Sequence, residues 1–445
     1  MEDKKAMKST KIGIGKFWAW QSRGASVAIG FIIMGFALFF LTDTIGMPAG
    51  TAGVILMTVG ILEAFVDLLS GLLVDRTKTK FGVGRPFELF IIILWISIWM
   101  VFSVPGEASN LVIGIWVFTS MLVARGTFAI LGASQNAFLI RVFETREEQV
   151  RVLSFGGFVI MLASIIFSIS FPILLSAIAT TAAGWSRLIM MFGLPLMFIG
   201  LIRFLAVKET VEVKGMAAER ANIKDIGILL RKNPYIYMVA FLWLSHQLVI
   251  GMGVGPFFYE WVTGDIGNMG IAGMIGIPLI PLLFAFPKFL KKYSTSTLIV
   301  IGSICYVISG IFFFISNGQM SIVMVALVFA GLGAMPVSYL TDVLLIECGT
   351  YNLHRNKQRM DGTIAAFRTF VGNAGSAIGA GVFGILLGMS GFDGTLSTQP
   401  ESAIFFIRAT MGLLPIIVFG LVTVIFIKFY KIDQDIKKME EEAGM

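Results

Sequence analysis

The sequence predicts an all-α membrane protein with twelve transmembrane helices arranged in two six-helix halves. The prediction rests on three observations: 57% of the 445 residues are hydrophobic, only 14% are charged, and long apolar segments recur along the whole chain. A soluble domain carries roughly 25% charged residues and could not hide this much apolar surface from water. A helix needs about 20 apolar residues to cross the hydrocarbon core, so these segments are typical of a polytopic helical protein.

Apolar length divides the chain into twelve predicted spans. They cover residues 24–45, 51–73, 87–105, 109–139, 152–178, 185–207, 234–259, 267–289, 296–316, 320–346, 363–389 and 403–428. The longest charged connection separates two equal sets of spans. We therefore predict an N-terminal bundle at 1–207, a cytoplasmic linker at 208–233, a C-terminal bundle at 234–429 and a cytoplasmic tail at 430–445.

The basic residues test this count, because Lys and Arg accumulate in cytoplasmic connections. Most of the 34 Lys and Arg residues lie before span 1 or after an even-numbered span. The opposite connections hold one clear basic residue, Arg187. We therefore expect a plasma-membrane protein with both termini in the cytoplasm. The chain begins with a hydrophilic basic segment, so no cleavable signal peptide is expected. Membrane orientation also explains the net charge of +7 without a nucleic-acid partner.

The linker contains an amphipathic stretch, IKDIGILLRK, which we expect to lie along the cytoplasmic membrane surface. Two six-span halves joined by such a connection are the architecture of the major facilitator superfamily. In that architecture, substrate binds near the midplane between the halves. The sequence therefore predicts a small-molecule solute and the lipid bilayer as partners, and we expect a monomer.

Two carboxylates lie inside span 2, where an ionisable group costs about 2.5–3.5 kcal/mol on insertion scales. Glu63 and Asp67 are four residues apart, so they share one helix face. Carboxylates at this spacing repel each other unless a proton, a cation or a basic side chain lies between them. A cation-binding and coupling site is the sharper interpretation, and a structural ion pair is the alternative.

Arg125 in span 4 is the candidate partner, because it lies at the same depth as the two carboxylates. Arg368 in span 11 is closer to the cytoplasmic face and is a second candidate for an ion pair or for substrate binding. His246 in span 7 is more simply explained as a hydrogen-bonded residue than as a proton carrier. These charges mark the spans where function is expected.

Other classes of protein lack support in the sequence. Cys305 and Cys348 cannot build a disulfide framework, and two histidines are too few for a His-based metal site. The sequence contains no HExxH, GxSxG or CxxC pattern. We therefore expect no enzyme activity, no metal site and no cofactor beyond a coupling ion, H⁺ or Na⁺.

Three segments resemble the glycoside–pentoside–hexuronide:cation symporters, the family of melibiose permease. They are FFLTDTIG, then ILEAFVDLLSGLLVDRTKTKFGVGRPF, and finally residues 342–392. The resemblance runs in order over essentially the whole chain. It implies a major facilitator fold, alternating access and cation-coupled uptake of glycosides or related sugars. In that family two span 2 acids bind Na⁺, Li⁺ or H⁺, and they fall here on Glu63 and Asp67.

The sequence departs from this family at the sugar-binding positions. Ser26, Leu131 and Phe155 stand where galactoside-binding members have two Asp and an Arg. Asn373 replaces a Lys that links the cation and sugar sites, and Asn136 lies near the place of an aromatic residue. The resemblance therefore implies a solute unlike melibiose, with Asn136 and Asn373 as candidate substrate residues.

A group of charged residues resembles the family's cytoplasmic gate, with a solvated surface role as the alternative. The group contains Asp75, Arg76, Arg85, Arg141 and Asp342. The functional hypothesis is a cation-coupled symporter. One alternative is a uniporter, or a carrier of an anionic or amphiphilic solute, in which Arg125 replaces the coupling cation. A non-transporting membrane sensor is the alternative of another class.

Overall fold

The computed structural model describes residues 12–77, 79–105, 108–211, 233–356 and 361–442. Within this part, ten helices are long and apolar enough to cross a membrane, which confirms the predicted all-α membrane fold. The helices that define the fold are α1 (Ile14–Met34), α2 (Ala49–Arg76), α3 (Phe90–Val101), α4 (Asn110–Val142), α5 (Arg146–Ile178), α6 (Ala182–Ala206), α7 (Pro234–Gly251), α8 (Gly276–Lys292), α9 (Thr295–Ile315), α10 (Met320–Asn356), α11 (Asp361–Met389), α12 (Glu401–Phe429) and α13 (Ile432–Glu442).

Predicted spans 3 and 8 are formed by pairs of shorter helical segments. A 3₁₀ turn at Arg85–Leu89 leads directly into α3, which has 12 residues. A short helix at Asn268–Gly273 precedes α8, which has 17 residues. Each pair has enough helical residues to cross the hydrocarbon core, because a 3₁₀ turn rises about 2 Å per residue and an α-helix about 1.5 Å.

Several helices extend past the predicted spans at the ends that adjoin the basic connections. The helix α1 begins at Ile14 rather than at residue 24, and α10 continues to Asn356 rather than ending at residue 346. Beyond Met34 the first span continues through a π-helical turn at Phe40–Thr44. Apolar length locates the hydrocarbon core alone, whereas backbone hydrogen bonding continues into the polar boundary. The helix α1 therefore begins ten residues before the predicted span 1.

Glycine produces the break in the seventh span. The helix α7 ends at Gly251, and Gly253 has a φ of 61°, which is the left-handed region that glycine adopts without steric cost. The helix then resumes at Val254–Trp261. The side chain of Asn233 begins α7 by accepting a 3.0 Å hydrogen bond from the backbone N–H of Tyr235.

The described chain forms two compact units. The first contains the residues up to Ala37, Phe65–Phe167, and the residues from Ile178 to the linker. The second contains Leu38–Ala64, Ser168–Ala177 and the residues after the linker. Because residues 212–232 lie outside the described chain, the predicted linker and its amphipathic stretch stay predictions, as does the division at 208–233.

Aromatic packing holds the first unit together at both ends of its helices. The Trp20 ring of α1 lies 5.3 Å from Phe138 of α4 and 5.0 Å from Phe143, which follows α4. On α6, Trp185 stacks on Phe102 at 5.4 Å. These rings are almost fully buried, so the first group fixes α1 against α4 and the second fixes α6 against the end of α3.

The second unit has a core that extends into the C-terminal helix α13. The Tyr306 ring of α9 stacks on Phe419 of α12 at 4.1 Å. Ile432 at the start of α13 is fully buried in the same cluster. The Tyr235 hydroxyl donates a 2.6 Å hydrogen bond to Asp435 of α13. The C-terminal helix is therefore docked on the second unit by both apolar and polar contacts.

Small residues allow α2 and α11 to approach closely inside the second unit. A Cβ added at Gly384 would lie 2.6 Å from the Cα atom of Gly53, and one added at Gly60 would lie 2.5 Å from the Cβ atom of Ala377. Real Cβ atoms do not approach that closely, so glycine is required at Gly53, Gly60 and Gly384. Such contacts between small residues are a common way for membrane helices to associate.

We predict that Gly384→Leu separates α2 from α11, because the new side chain would overlap the backbone of Gly53. The measurement is disulfide cross-linking in membranes, using Cys at positions 50 and 388 after both native cysteines are replaced by Ser. A Cβ at Gly388 would lie 3.1 Å from the backbone nitrogen of Gly50. The two introduced cysteines should therefore cross-link efficiently in the protein that keeps Gly384.

Gly420→Leu in α12 is the matched control, because a Cβ at that position meets nothing within 4 Å. Cross-linking should stay at the starting level in this control and fall several-fold in Gly384→Leu. Equal cross-linking in the two variants would show that the glycine contact is not what holds α2 against α11.

Candidate functional site

The predicted carboxylate pair lies on one uninterrupted helix. Glu63 and Asp67 both belong to α2, so their i, i+4 spacing places them on the same helix face. The exposed fraction of Glu63 is 9%, and Asp67 is half-buried. Two carboxylates one helical turn apart repel each other, so a proton, a cation or a basic side chain between them would stabilise the pair.

Arg125 lies on α4, which passes α2 at the level of this pair. A Cβ added at Gly126 would be 3.6 Å from the Cγ1 atom of Val66, so the two helices are in van der Waals reach there. The Arg125 guanidinium lies 5.6 Å from the centre of the Phe31 ring, within the range of a cation–π interaction. The common depth predicted for Arg125 and Asp67 is therefore consistent with the packing, and their ion pair stays a prediction.

A buried charge network that was not predicted lies in the first unit. The carboxylate of Glu88 is 3.3 Å from Nε of Arg23 and 3.7 Å from Nε of Arg203. The exposed fractions of these side chains are 0%, 6% and 1%. Two guanidinium groups thus share one carboxylate in the protein interior, which leaves a surplus positive charge.

Polar and aromatic groups stabilise this surplus charge. The amide oxygen of Gln135 accepts hydrogen bonds from both Arg23 and Arg203, the latter at 2.9 Å. Arg23 also donates to the backbone oxygen of Leu131 at 2.8 Å. The Arg203 guanidinium lies 3.4 Å from the centre of the Trp20 ring. The network therefore joins α1, α4, α6 and the turn before α3.

Arg23 stands one residue before the predicted start of span 1, so the sequence placed it in the basic N-terminal segment, which was wrong. It lies inside α1 and is 5% exposed, because α1 begins well before the predicted span. Arg203 had been placed inside span 6 without a role, and Glu88 lay at the edge of span 3. The sequence did contain a signal for this network. A charge in the hydrocarbon is costly, so Arg203 needs a partner for the same reason as Arg125.

A second network joins the connection between α2 and α3 to the segment after α6. The Glu209 carboxylate accepts hydrogen bonds from the backbone N–H groups of Val83, Gly84 and Arg85 at 2.7–3.0 Å. The Arg85 side chain donates to the backbone oxygen of Phe204 at 2.9 and 3.0 Å. Glu209 lies at the start of the predicted linker, where sequence reasoning assigned it no role.

Arg141 completes this second network. Its Nε atom lies 3.9 Å from Glu209, and its backbone oxygen accepts from the N–H groups of Thr210 and Val211 at 2.9 and 3.0 Å. The predicted gate residues Arg85 and Arg141 are thus brought together around one acid. Arg76 is exposed, and the Asp75 side chain lies outside the described part of the structure.

In the second unit, Arg368 and Asp342 form one ion pair, although the sequence had assigned them to different groups. The Arg368 Nη1 atom lies 2.9 Å from Oδ1 of Asp342. The same guanidinium lies 4.5 Å from the centre of the Trp243 ring. The Asp342 side chain is 64% exposed, so water screens this pair more than the buried network.

The other singled-out positions serve different purposes. The Ser26 hydroxyl accepts from the Trp95 indole at 2.9 Å and donates to the backbone oxygen of Leu196 at 2.7 Å. His246 lies 3.3 Å from the Tyr306 hydroxyl, which agrees with its interpretation as a hydrogen-bonded residue. Asn136 is exposed on α4, and Asn373 is half-buried on α11.

Solved structures share this fold over nearly the whole chain. A bacterial homolog of the human lysosomal transporter Spinster gives a TM-score of 0.65 at 13% identity, over 94% of this chain and 99% of that one. A D-xylose–proton symporter gives a TM-score of 0.63 at 12% identity, over 93% and 96% of the two chains. This likeness shows that the chain shares the fold of these transporters.

Sequence relatives then define the family. The sequence model of the family described as MFS/sugar transport protein matches residues 25–434. An isoprimeverose transporter of Lactiplantibacillus pentosus is 23% identical, over 92% of this chain and 86% of the relative. A glucuronide carrier protein homolog of Escherichia coli (strain K12) is 24% identical, over 91% and 89%. The chain belongs to the MFS/sugar transport protein family, and the predicted resemblance to glycoside–pentoside–hexuronide:cation symporters is confirmed.

We predict that Glu88→Gln lowers the free energy of unfolding by about 3–5 kcal/mol, because it leaves two buried guanidinium groups without a counter-charge. Thermal and denaturant unfolding of the purified protein in detergent measures this loss. Glu144→Gln, which alters an exposed acid in the connection after α4, should change stability by less than about 0.5 kcal/mol. A Glu88→Gln protein that unfolds like the wild type would contradict an ionic role for the network.

Proposed function

We propose that this chain is a secondary transporter of the plasma membrane that carries a sugar, glycoside or related small solute by cation-coupled symport. Transport proceeds by alternating access, with both termini in the cytoplasm. The observation that carries the proposal is the Glu63/Asp67 pair on α2, in a chain that belongs to a sugar transport family. A relative 23% identical to this chain bears the name putative glycoside/cation symporter.

The surroundings of the pair favour H⁺ as the coupling ion, with Na⁺ as the alternative. Val66 stands beside Asp67, and its side chain supplies no oxygen ligand. Two carboxylates one helical turn apart can share one proton without any further ligand.

The remaining candidate residues take the roles that the family resemblance suggests. We assign Asn136 and Asn373 to substrate binding, and Arg368 to an ion pair with Asp342 that is available to a substrate. Arg85 and Arg141, held by Glu209, belong with Asp75, Arg76 and Asp342 in a cytoplasmic gate. The protein is proposed to act as a monomer, without enzyme activity and without a nucleic-acid partner.

One alternative keeps transport but removes the cation. A guanidinium stays protonated at neutral pH, so Arg125 can occupy the cation position permanently or bind an anionic solute. In that case the chain is a uniporter or a carrier of an anionic or amphiphilic solute. A sensor that does not transport is the alternative from another class, and measurable uptake separates it from both.

Proteoliposome uptake tests the proposed function. Purified protein should accumulate at least one labelled solute from a panel of sugars, glycosides and small organic anions when an inward H⁺ or Na⁺ gradient is imposed. Collapsing the gradient should abolish accumulation and leave equilibration. Equilibration of a solute without accumulation, at a rate that neither gradient changes, would favour the uniporter. No uptake across the panel would favour the sensor.

We predict that Glu63→Gln and Asp67→Asn each abolish accumulation against a gradient while leaving solute exchange measurable. The reason is that a neutral amide binds neither a proton nor a cation at this position. Counterflow and gradient-driven uptake in the same proteoliposomes measure the two activities. Glu401→Gln, an exposed acid at the start of α12, should retain both. Full accumulation in both α2 variants would assign the pair a structural role.

We predict that Arg125→Ala destabilises the protein by about 3–5 kcal/mol and that Asp67→Asn added to it restores part of the loss. Removing one member of a buried ion pair leaves the other charge uncompensated, whereas removing both does not. A thermal-melt double-mutant cycle in detergent measures the coupling free energy.

Arg151→Ala combined with Asp67→Asn is the matched control for this cycle, because Arg151 is exposed on α5. In this control, the stability loss of the double variant should equal the sum of the losses of the two single variants. Additive losses for Arg125 and Asp67 would defeat the ion pair and favour Arg125 as a ligand for an anionic solute. Stabilisation of the wild type by Na⁺ would show that a cation also enters the site.

A further inference from the structure

The surface of the first unit carries an apolar groove of about 290 Å³ between α3 and α6. Its walls include Trp95, Ile96 and Trp99 of α3, and Met190, Leu194 and Met197 of α6. The exposed fractions of Ile96, Met190 and Leu194 are 49%, 41% and 47%. On a membrane-spanning helix, large apolar side chains with this exposure face lipid, so the groove is open to the hydrocarbon of the bilayer.

One end of the groove has a polar rim. The Ser186 hydroxyl accepts a 3.0 Å hydrogen bond from the Trp99 indole and a 2.7 Å hydrogen bond from the Ser103 hydroxyl. Arg187 follows on α6 and is exposed. It lies seven residues before Leu194, which is two helical turns, so both residues lie along the same edge of α6.

Arg187 lies where the hydrocarbon meets the lipid headgroups. The 25 residues of α6 span about 37 Å, which exceeds the hydrocarbon thickness of about 30 Å, and Arg187 is in the second turn. The residues that the structure describes give its side chain no hydrogen bond or ion pair. A guanidinium at this boundary needs an anionic partner or water.

We propose that this groove binds an anionic phospholipid, with an acyl chain between α3 and α6 and the headgroup phosphate on Arg187. The planar guanidinium presents paired N–H donors that match phosphate oxygens, and the polar rim offers the headgroup further hydrogen bonds. The apolar walls and the single cation above them match the two ends of such a lipid. The inference goes beyond solute transport and does not rest on the proposed coupling ion.

Native mass spectrometry of the full-length protein in detergent, titrated with palmitoyl-oleoyl phosphatidylglycerol, tests the proposal. The wild type should retain one lipid more tightly than all others. Arg187→Gln should weaken that binding about fivefold, the effect expected for one basic residue at a membrane surface. Leu194→Trp should weaken it at least as much, because the indole fills the groove.

Phe198→Trp is the matched control, since Phe198 is 63% exposed one turn further along α6 and does not line the groove. It should bind the lipid like the wild type. Ile96→Trp fills the groove from the other wall and replaces Leu194→Trp if that variant fails to fold. Each variant is compared only if its melting temperature and gel-filtration profile match the wild type.

A diacylglycerol with the same chains separates headgroup binding from chain binding. It should bind more weakly than phosphatidylglycerol, and Arg187→Gln should not alter its binding. The proposal is overturned if Arg187→Gln and the groove-filling variant both bind phosphatidylglycerol like the wild type. It is equally overturned if only one of them loses affinity, because the headgroup and the chain would then not belong to one site.

Discussion

The hydrocarbon core offers no water to a charged side chain, so every ionised group in a span must find its partner on another segment. In the first unit this constraint gathers Arg23 of α1 and Arg203 of α6 around Glu88, which lies in the turn before α3. Gln135 joins α4 to this network, because its amide oxygen accepts hydrogen bonds from both arginines. Four segments thus converge because two charges cannot be left unpaired.

The same requirement acts on backbone groups where the helices leave the membrane. The first N–H groups of a helical turn have no partner inside that turn. Glu209 supplies one for the turn that begins at Arg85, and its negative charge also suits the positive end of the turn. Because Glu209 follows α6, this carboxylate ties the end of the sixth span to the connection between the second and third. The first residues of the predicted linker are therefore anchored rather than free.

The number and order of the spans were predictable because they depend on local properties. Apolar length and the positions of Lys and Arg can be read one segment at a time, and neither needs contacts between segments. The helix ends were less predictable. The helix α1 begins at Ile14, because backbone hydrogen bonds extend the helix beyond the apolar segment that hydropathy detects. Pairs such as Arg368 and Asp342 depend on distances between helices, which a single sequence does not contain.

The buried network nevertheless left a signal. The argument that singled out Glu63, Asp67 and Arg125, namely that a charge inside a span needs a partner, applies equally to Arg203. Applied to every span, it would have required an acid for Arg203 and left Glu88 as a candidate. Arg23 would still have been missed, because its predicted position was in a connection. The carboxylate pair on α2 therefore had a sequence signature, whereas the three-charge network needed the structure.

The contacts of α2 show how a transporter can combine stability with movement. Along α2 and α11, Gly53 and Gly384 bring two backbones together without any charged group. Parting such surfaces breaks many weak dispersion contacts but leaves no unpaired ion, and lipid or solute can fill the space. Parting the Arg23–Glu88–Arg203 network would strand charges in the hydrocarbon, at a cost of several kcal/mol. The proposed alternating-access cycle would therefore have a physical reason to move at the glycine contact and to keep the charge network intact.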